Sequence, residues 1–322
     1  MTPDKAAPNP IPLRTDSLPD DHKLQVQFAL GAFGCVMADE IAYVSVAVTS
    51  GKRLYEYMDK MGFKTPDEAK KDRKAFFENV ISPNIEEGVK LSQQWSKKVA
   101  GAVIAHAEFE KCRGLKGTKW GQDAFMGMWL GLIDDKVTKM VMSDGWQYSD
   151  GAGEEYLQAM LMKMGRRGRN NVEVTDAQGA ELTLDKGVQM IWDAFQDLRA
   201  RGLKPRNMVQ TLACLLSAEL RYSVEQDYGQ SAEPSRESYA VDPNMKNYDR
   251  APISAIAKQM RQILADEYPD IRETVRTHTS FEFSPINALF RKQEKLPENV
   301  GLVNAAKPDD AVKPQGPKPP VP

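Results

Sequence analysis

Histidine and cysteine are nearly missing from this chain of 322 residues. Only His22, His106, His278 and Cys35, Cys112, Cys214 are present. With no CxxC pair and no even cysteine framework, a disulfide scaffold has no support, and a reducing compartment fits. So few histidines argue against a histidine-based metal centre or triad; no metal and no cofactor is expected. An excess of positive charge is also lacking: 43 Lys+Arg stand against 45 Asp+Glu, for a net charge of -2. Any nucleic-acid site must therefore be local. Uncharged hydrophobic runs are absent too. Phe28 to Val48 is the nearest approach to a membrane span, but Asp39 and Glu40 sit at its middle. Each would cost about 2.5–3.5 kcal/mol at the centre of a bilayer helix, so no span is expected. The polar, proline-bearing start resembles neither a signal nor a transit peptide, and a cytoplasmic location is expected.

Proline is scarce in the body of the chain. Residues 1–19 hold five prolines and residues 296–322 hold seven, together 12 of 20. The layout predicted is a flexible arm (1–19), a helical core (20–295, with a sub-boundary near 143–152 or 165–171) and a disordered Pro-rich tail (296–322). The core reads as mainly α, eight to ten helices with one small β-hairpin at about 172–184.

The apolar stretch from Asp20 to Val48 reads as helix, although Ile41 to Thr49 is β-branched enough for a strand. Thr65-Pro66-Asp67-Glu68 carries an N-cap, a proline at the first helical position and a glutamate three residues after the cap. It opens a helix predicted to stop before Ser82-Pro83. A second helix follows over 84–111, and Lys119 to Met142 is the predicted central buried helix. Residues 153–164 form a short Met-rich helix. In the hairpin, Val172 and Val174 alternate with Glu173 and Thr175, and Leu182-Thr183-Leu184 follows an Asp-Ala-Gln-Gly turn. Asp185 is the predicted cap of the next helix, ending at Gly202. Further helices are predicted from Lys204-Pro205 to Gly229, then over 252–267, 270–277 and 285–293, with a long polar loop at 230–250.

The usual catalytic signatures fail. Around Gly51-Lys52 the first glycine and the final Ser/Thr of a P-loop are missing, and no Gly-x-Gly-x-x-Gly follows a strand. No GxSxG is present, and His106 lacks the partner three residues earlier that a bundle metal site requires. Adjacent carboxylates such as Asp134-Asp135 point about 100° apart on a helix and do not converge. Asp39-Glu40 has apolar flanks and calls for a cationic partner or a functional role, the former being the simpler expectation.

Two basic turns remain. Lys111, Arg113, Lys116 and Lys119 gather around Gly114 and Gly117, beside Trp120. Lys163, Arg166, Arg167 and Arg169 gather around Gly165 and Gly168. Solvated helix termini would carry such charges too, but two similar cationic corners suit a phosphate backbone. The resulting expectation is a non-enzymatic assembly protein that self-associates through its terminal arms. It would bind RNA or single-stranded DNA without sequence preference. The alternatives are a scaffold or adaptor subunit with no nucleic-acid contact, and an enzyme whose residues meet only in the fold, with Asp39, Glu40, Tyr43 and His106 as candidates.

Overall fold

The computed structural model describes residues 19–107, 121–163, 172–216 and 251–271, all within one unit, Met1–Pro285. Helix dominates, as the sequence predicts, but four short strands organise it. They are β1 (Ile41–Ser45), β2 (Ala102–Ala105), β3 (Lys139–Met142) and β4 (Glu173–Asp176). All pairings are parallel, in the order β2-β1-β3-β4.

Parallel strands must be joined by crossovers that cover the sheet, so both faces are buried. Ala42 and Val44 of β1, with Val141 of β3, pack against Ile85, Leu91 and Trp95 of helix α5 (Ser82–Trp95). The alternate residues Ile41, Tyr43, Met140 and Val174 face the other way. There they meet α6 (Gln122–Lys136) and α7 (Asp150–Lys163). α1 (Asp20–Gly34) packs on α6. α8 (Leu184–Ala200), a helix occupying residues 206–216 and called α9, and α10 (Ala251–Asp266) extend the larger core. The result is a doubly wound α/β arrangement.

Several sequence expectations are corrected here. The stretch 20–48 is not one helix: α1 ends at Gly34 and Ile41–Ser45 is the buried second strand of the sheet. The helix predicted over 84–111 ends at Trp95, and Ala102–Ala105 is an edge strand. The predicted central helix stops at Lys136, because Lys139–Met142 pairs with β1 and β4. No hairpin forms over 172–184. Its turn exists: Asp176 Oδ1 accepts from the amides of Gln178, Gly179 and Ala180, and Gly179 has φ 99°. Beyond it the return arm makes a single antiparallel bridge, Thr175 to Glu181, and then enters α8. The cap of α8 is Thr183 rather than Asp185.

Other local signals are realised. Thr65 accepts from the Glu68 amide at 3.3 Å and caps α3 (Pro66–Lys71). α2 (Lys52–Met61) precedes it, and α4 (Arg73–Phe76) follows after a fresh cap by Asp72. The predicted stop at Ser82-Pro83 is bypassed by a π-helical segment, Phe77–Ile81, that runs directly into α5 with Pro83 in its first turn. Proline has no amide to donate, so the helical ladder loses one bond where the π-helical segment joins α5.

The amino-terminal ends of β1 and β2 approach unusually closely at Gly101. A Cβ there would stand 1.9 Å from the Glu40 carbonyl oxygen, beside the Ala102 amide that donates to that same oxygen. Backbone cannot yield as a flexible side chain can, so Gly101→Ala should destabilise the fold by about 1–3 kcal/mol. Urea unfolding checks this: the midpoint should fall with the slope unchanged.

Candidate functional site

In a doubly wound sheet, ligands bind outside the carboxyl ends of the strands, where neighbouring connections leave in opposite directions. Here that place lies between β1, whose connection leads to β2, and β3, whose connection leads to β4. The loops after these two strands touch. Ser50 Oγ donates to Ser149 Oγ at 2.9 Å, and the Ser143 amide donates to the Ser45 carbonyl at 3.1 Å. Gly51 and Gly145 both have positive φ, and a Cβ on Gly145 would lie 2.8 Å from that of Lys52. Asn84, near the start of α5, donates to the carbonyls of Val48 and Ser50 and accepts from Arg53, fixing the first loop from below.

Directly under this junction is a buried carboxylate. Glu155, on the second turn of α7, is 1 % exposed. Tyr43 Oη donates to its Oε1 at 2.7 Å and Ser45 Oγ donates to its Oε2 at 2.5 Å. Two residues apart on β1, Tyr43 and Ser45 lie on one face of the strand. His106, just past β2, stacks on the Tyr43 ring at 6.1 Å, and its ring lies 4.8 Å from that of Trp129, tilted by 60°.

Burial raises the Glu155 pKa above the ordinary glutamate value, while the charge of His106 and the hydroxyls of Ser45 and Tyr43 pull against it. Magnitudes bear on whether stability alone accounts for this residue. Desolvating a carboxylate costs several kcal/mol even after relaxation, and each hydrogen bond to a charged group returns about 1.5–3 kcal/mol. At best the two roughly cancel, and an apolar side chain of similar volume would be no less stable. A glutamate in this place is therefore poorly explained by stability.

The remaining charges at this edge are mostly acidic or already paired. Asp144 follows β3, Asp176 ends β4 and Asp150 opens α7. Arg53 is bound to Glu87 at 2.8 Å and Lys52 to Glu56 at 3.7 Å. At the rim Tyr55 is pushed up to about 12, first by burial and then by Asp150, and its ring lies 5.8 Å from that of Tyr148.

Of the four residues named for an enzyme, Tyr43 and His106 come together at this site. Asp39 and Glu40 lie at the opposite, amino edge of the sheet, beside a cavity of about 910 Å³. Glu40 there is structural: Lys139 binds it at 3.4 Å and Glu173 at 3.2 Å, and the Ala100 amide donates to it. Glu155 and Ser45 were missed. The available signal was a glutamate in the stripe Ala152-Glu155-Ala159-Met162, whose other members are all apolar and buried. Of the predicted cationic residues, Lys163 is bound to Glu181 at 2.5 Å, and Lys163 holds that carboxyl below its usual range. Lys111, Arg113, Lys116, Lys119, Arg166, Arg167 and Arg169 lie outside the described residues, as do Trp120, the arm 1–18, the loop 230–250, the helix 285–293 and the tail 296–322. Among the described residues no group of three His, Cys, Asp or Glu is placed to hold a metal ion, and no helix is long and apolar enough to cross a membrane.

No family model matches the chain, and no curated protein or solved structure is found similar to it.

The raised pKa of Glu155 has a consequence for stability. The folded state holds the proton more tightly than the unfolded state, so the stabilisation is full below the ordinary glutamate range. It is lost as pH rises through the folded value. Relative to Glu155→Gln, which cannot ionise, the wild-type protein should lose stability as pH climbs above that range. Chemical denaturation of both proteins across the interval measures it, and parallel curves would refute the assignment.

Proposed function

We propose that the protein is an enzyme acting on a small, neutral, hydroxyl-bearing molecule bound between the loops after β1 and β3, with Glu155 as the reacting carboxylate. The observation that carries this is the position of Glu155: fully buried at the carboxyl end of β1, with a hydroxyl on each oxygen. Hydrogen bonds donated to both oxygens favour the anion while burial, the larger influence, favours the acid, so the carboxyl is suited to exchanging a proton as general acid or base. Tyr43 and Ser45 orient it, and His106 supplies an adjacent imidazole for proton exchange. Substrate class follows from the lining. Serine hydroxyls and carboxylates dominate this edge, and the nearby cations Lys52 and Arg53 already face Glu56 and Glu87. A phosphate would meet repulsion there, whereas a hydroxyl-rich molecule finds acceptors. With Glu155 almost inaccessible, a substrate reaches it only when neighbouring side chains move aside.

The test is turnover, followed by mass spectrometry, of a panel of neutral hydroxyl-bearing compounds: nucleosides, glycosides, polyols and hydroxy esters. Wild-type protein should consume at least one of them. Glu155→Gln should abolish that turnover with the fold intact. Tyr43→Phe should slow it about 10- to 100-fold, the worth of one hydrogen bond to a charged group. Unchanged turnover in Glu155→Gln would sink the proposal. So would a wild-type protein that consumes nothing but retains single-stranded RNA with salt-dependent affinity, the outcome expected of the basic turns.

A further inference from the structure

The loop after β3 contains a short 3₁₀ turn, Trp146–Tyr148, entered through Gly145 at φ 73°. Hydrogen bonds tie it at both ends to the groups around Glu155. The Trp146 amide donates to the Ser143 carbonyl at 3.3 Å, and Ser143 donates its own amide to Ser45, a partner of Glu155. The Ser149 amide donates to the Trp146 carbonyl at 2.9 Å, and Ser149 is the residue paired with Ser50. The Trp146 ring lies 4.7 Å from that of Tyr156, the neighbour of Glu155 on α7.

Two side-chain atoms of this turn are left over. Trp146 is 1 % exposed, and its Nε1–H has no acceptor among the described residues. The next residue, Gln147, buries its Oε1 without a donor. Such orphans are uncommon, because a buried polar group gives up its bond to water and gains nothing in return. Packing does not call for the nitrogen, since the ring sits in the larger apolar core, where a phenylalanine ring would pack without it. Thr175 Oγ1 and Tyr268 Oη are orphaned too, but away from the junction. Thr175 follows Val174 on β4 and so faces the other side of the sheet, and Tyr268 comes after α10.

We propose that Trp146 and Gln147 are specificity-determining residues of the site. The indole N–H donates to an oxygen of the substrate, and Gln147 Oε1 accepts from one of its hydroxyls. An indole nitrogen can only donate and an amide oxygen only accept, so the two groups cannot serve the same end of a ligand bond. This rests on the reading of Glu155 as the reacting group and narrows the substrate. A molecule with several hydroxyls meets both needs, whereas one whose single hydroxyl is the reacting one does not. Binding the latter would leave the turn's polar atoms unpaired, which is how such sites reject analogues.

The chain's five tryptophans give five indole N–H signals in a nitrogen–proton correlation spectrum, and the one lost in Trp146→Phe is that of Trp146. In Glu155→Gln, where nothing is consumed, that signal should move downfield on titration with at least one of uridine, methyl glucoside and sorbitol. Ethyl lactate, with one hydroxyl, should leave it in place. In the chain with Glu155 intact, Trp146→Phe should raise KM for the compound turned over about 10-fold with kcat little changed, and so should Gln147→Leu. Thermal melting of Trp146→Phe should not fall, because the substitution removes an orphaned donor. Should that variant fail to fold, the KM of Gln147→Leu decides the matter. Wild-type KM in the folded variants overturns the inference while leaving Glu155 as the reacting group, as does a Trp146 signal that none of the three polyhydroxylated probes moves. Failure of the Glu155 reading shows separately, as turnover that survives Glu155→Gln.

Discussion

A parallel sheet of four- and five-residue strands exists only while both faces are kept from water, and the helices packed on it serve that constraint. One face is closed by α5, whose Ile85, Leu91 and Trp95 lie on Ala42, Val44 and Val141. The other is closed by α6 and α7, backed in turn by α8 and α10 through Trp192, Phe195, Ile253, Ile256 and Met260. Because α7 must cover β1 and β3 from above, its inner stripe is apolar. The one carboxylate in that stripe finds its partners on β1, where Tyr43 and Ser45 are the two polar residues on that face. Glu155 is held by the same geometry that builds the core.

How much of this was readable beforehand depends on the length of each signal. Helices with caps or long apolar periods were legible: Thr65 with Glu68, the face Val188-Ile191-Trp192-Phe195-Leu198, and the helix from Ala251 to Asp266 all appear. Three of the strands were not. Four-residue runs such as Ala-Val-Ile-Ala and Lys-Met-Val-Met are too short to show a period of two. Strands buried on both faces do not alternate anyway, as the wholly buried Ile41–Ser45 shows. Each was absorbed into the helix beside it. Glu173–Asp176 did alternate and was rightly seen as extended, but pairing partners are set by tertiary contact, so β3 replaced the expected hairpin arm.

The candidate site was legible only in part, for the same reason. Tyr43 and His106 were named together with Asp39 and Glu40, but nothing in the sequence separated the two pairs or added residue 155, since their meeting depends on strand order. The apparent oddity of Asp39-Glu40 proved to be local chemistry at the far edge. Lys139 stands between Glu40 and Glu173 there, and Trp95 lies below it at 5.7 Å.

That lysine joins the starts of three adjacent strands, and Gly101 lets a fourth backbone segment close in beside them. The amino edge is thus sewn shut by charge and main chain. The carboxyl edge is held by hydrogen bonds: the Ser50–Ser149 pair, Asn84 on the first loop, and Tyr43 and Ser45 on Glu155. One rim thus turns on a single cation, whereas at the other the load is spread over several hydroxyls and amides gathered round Glu155.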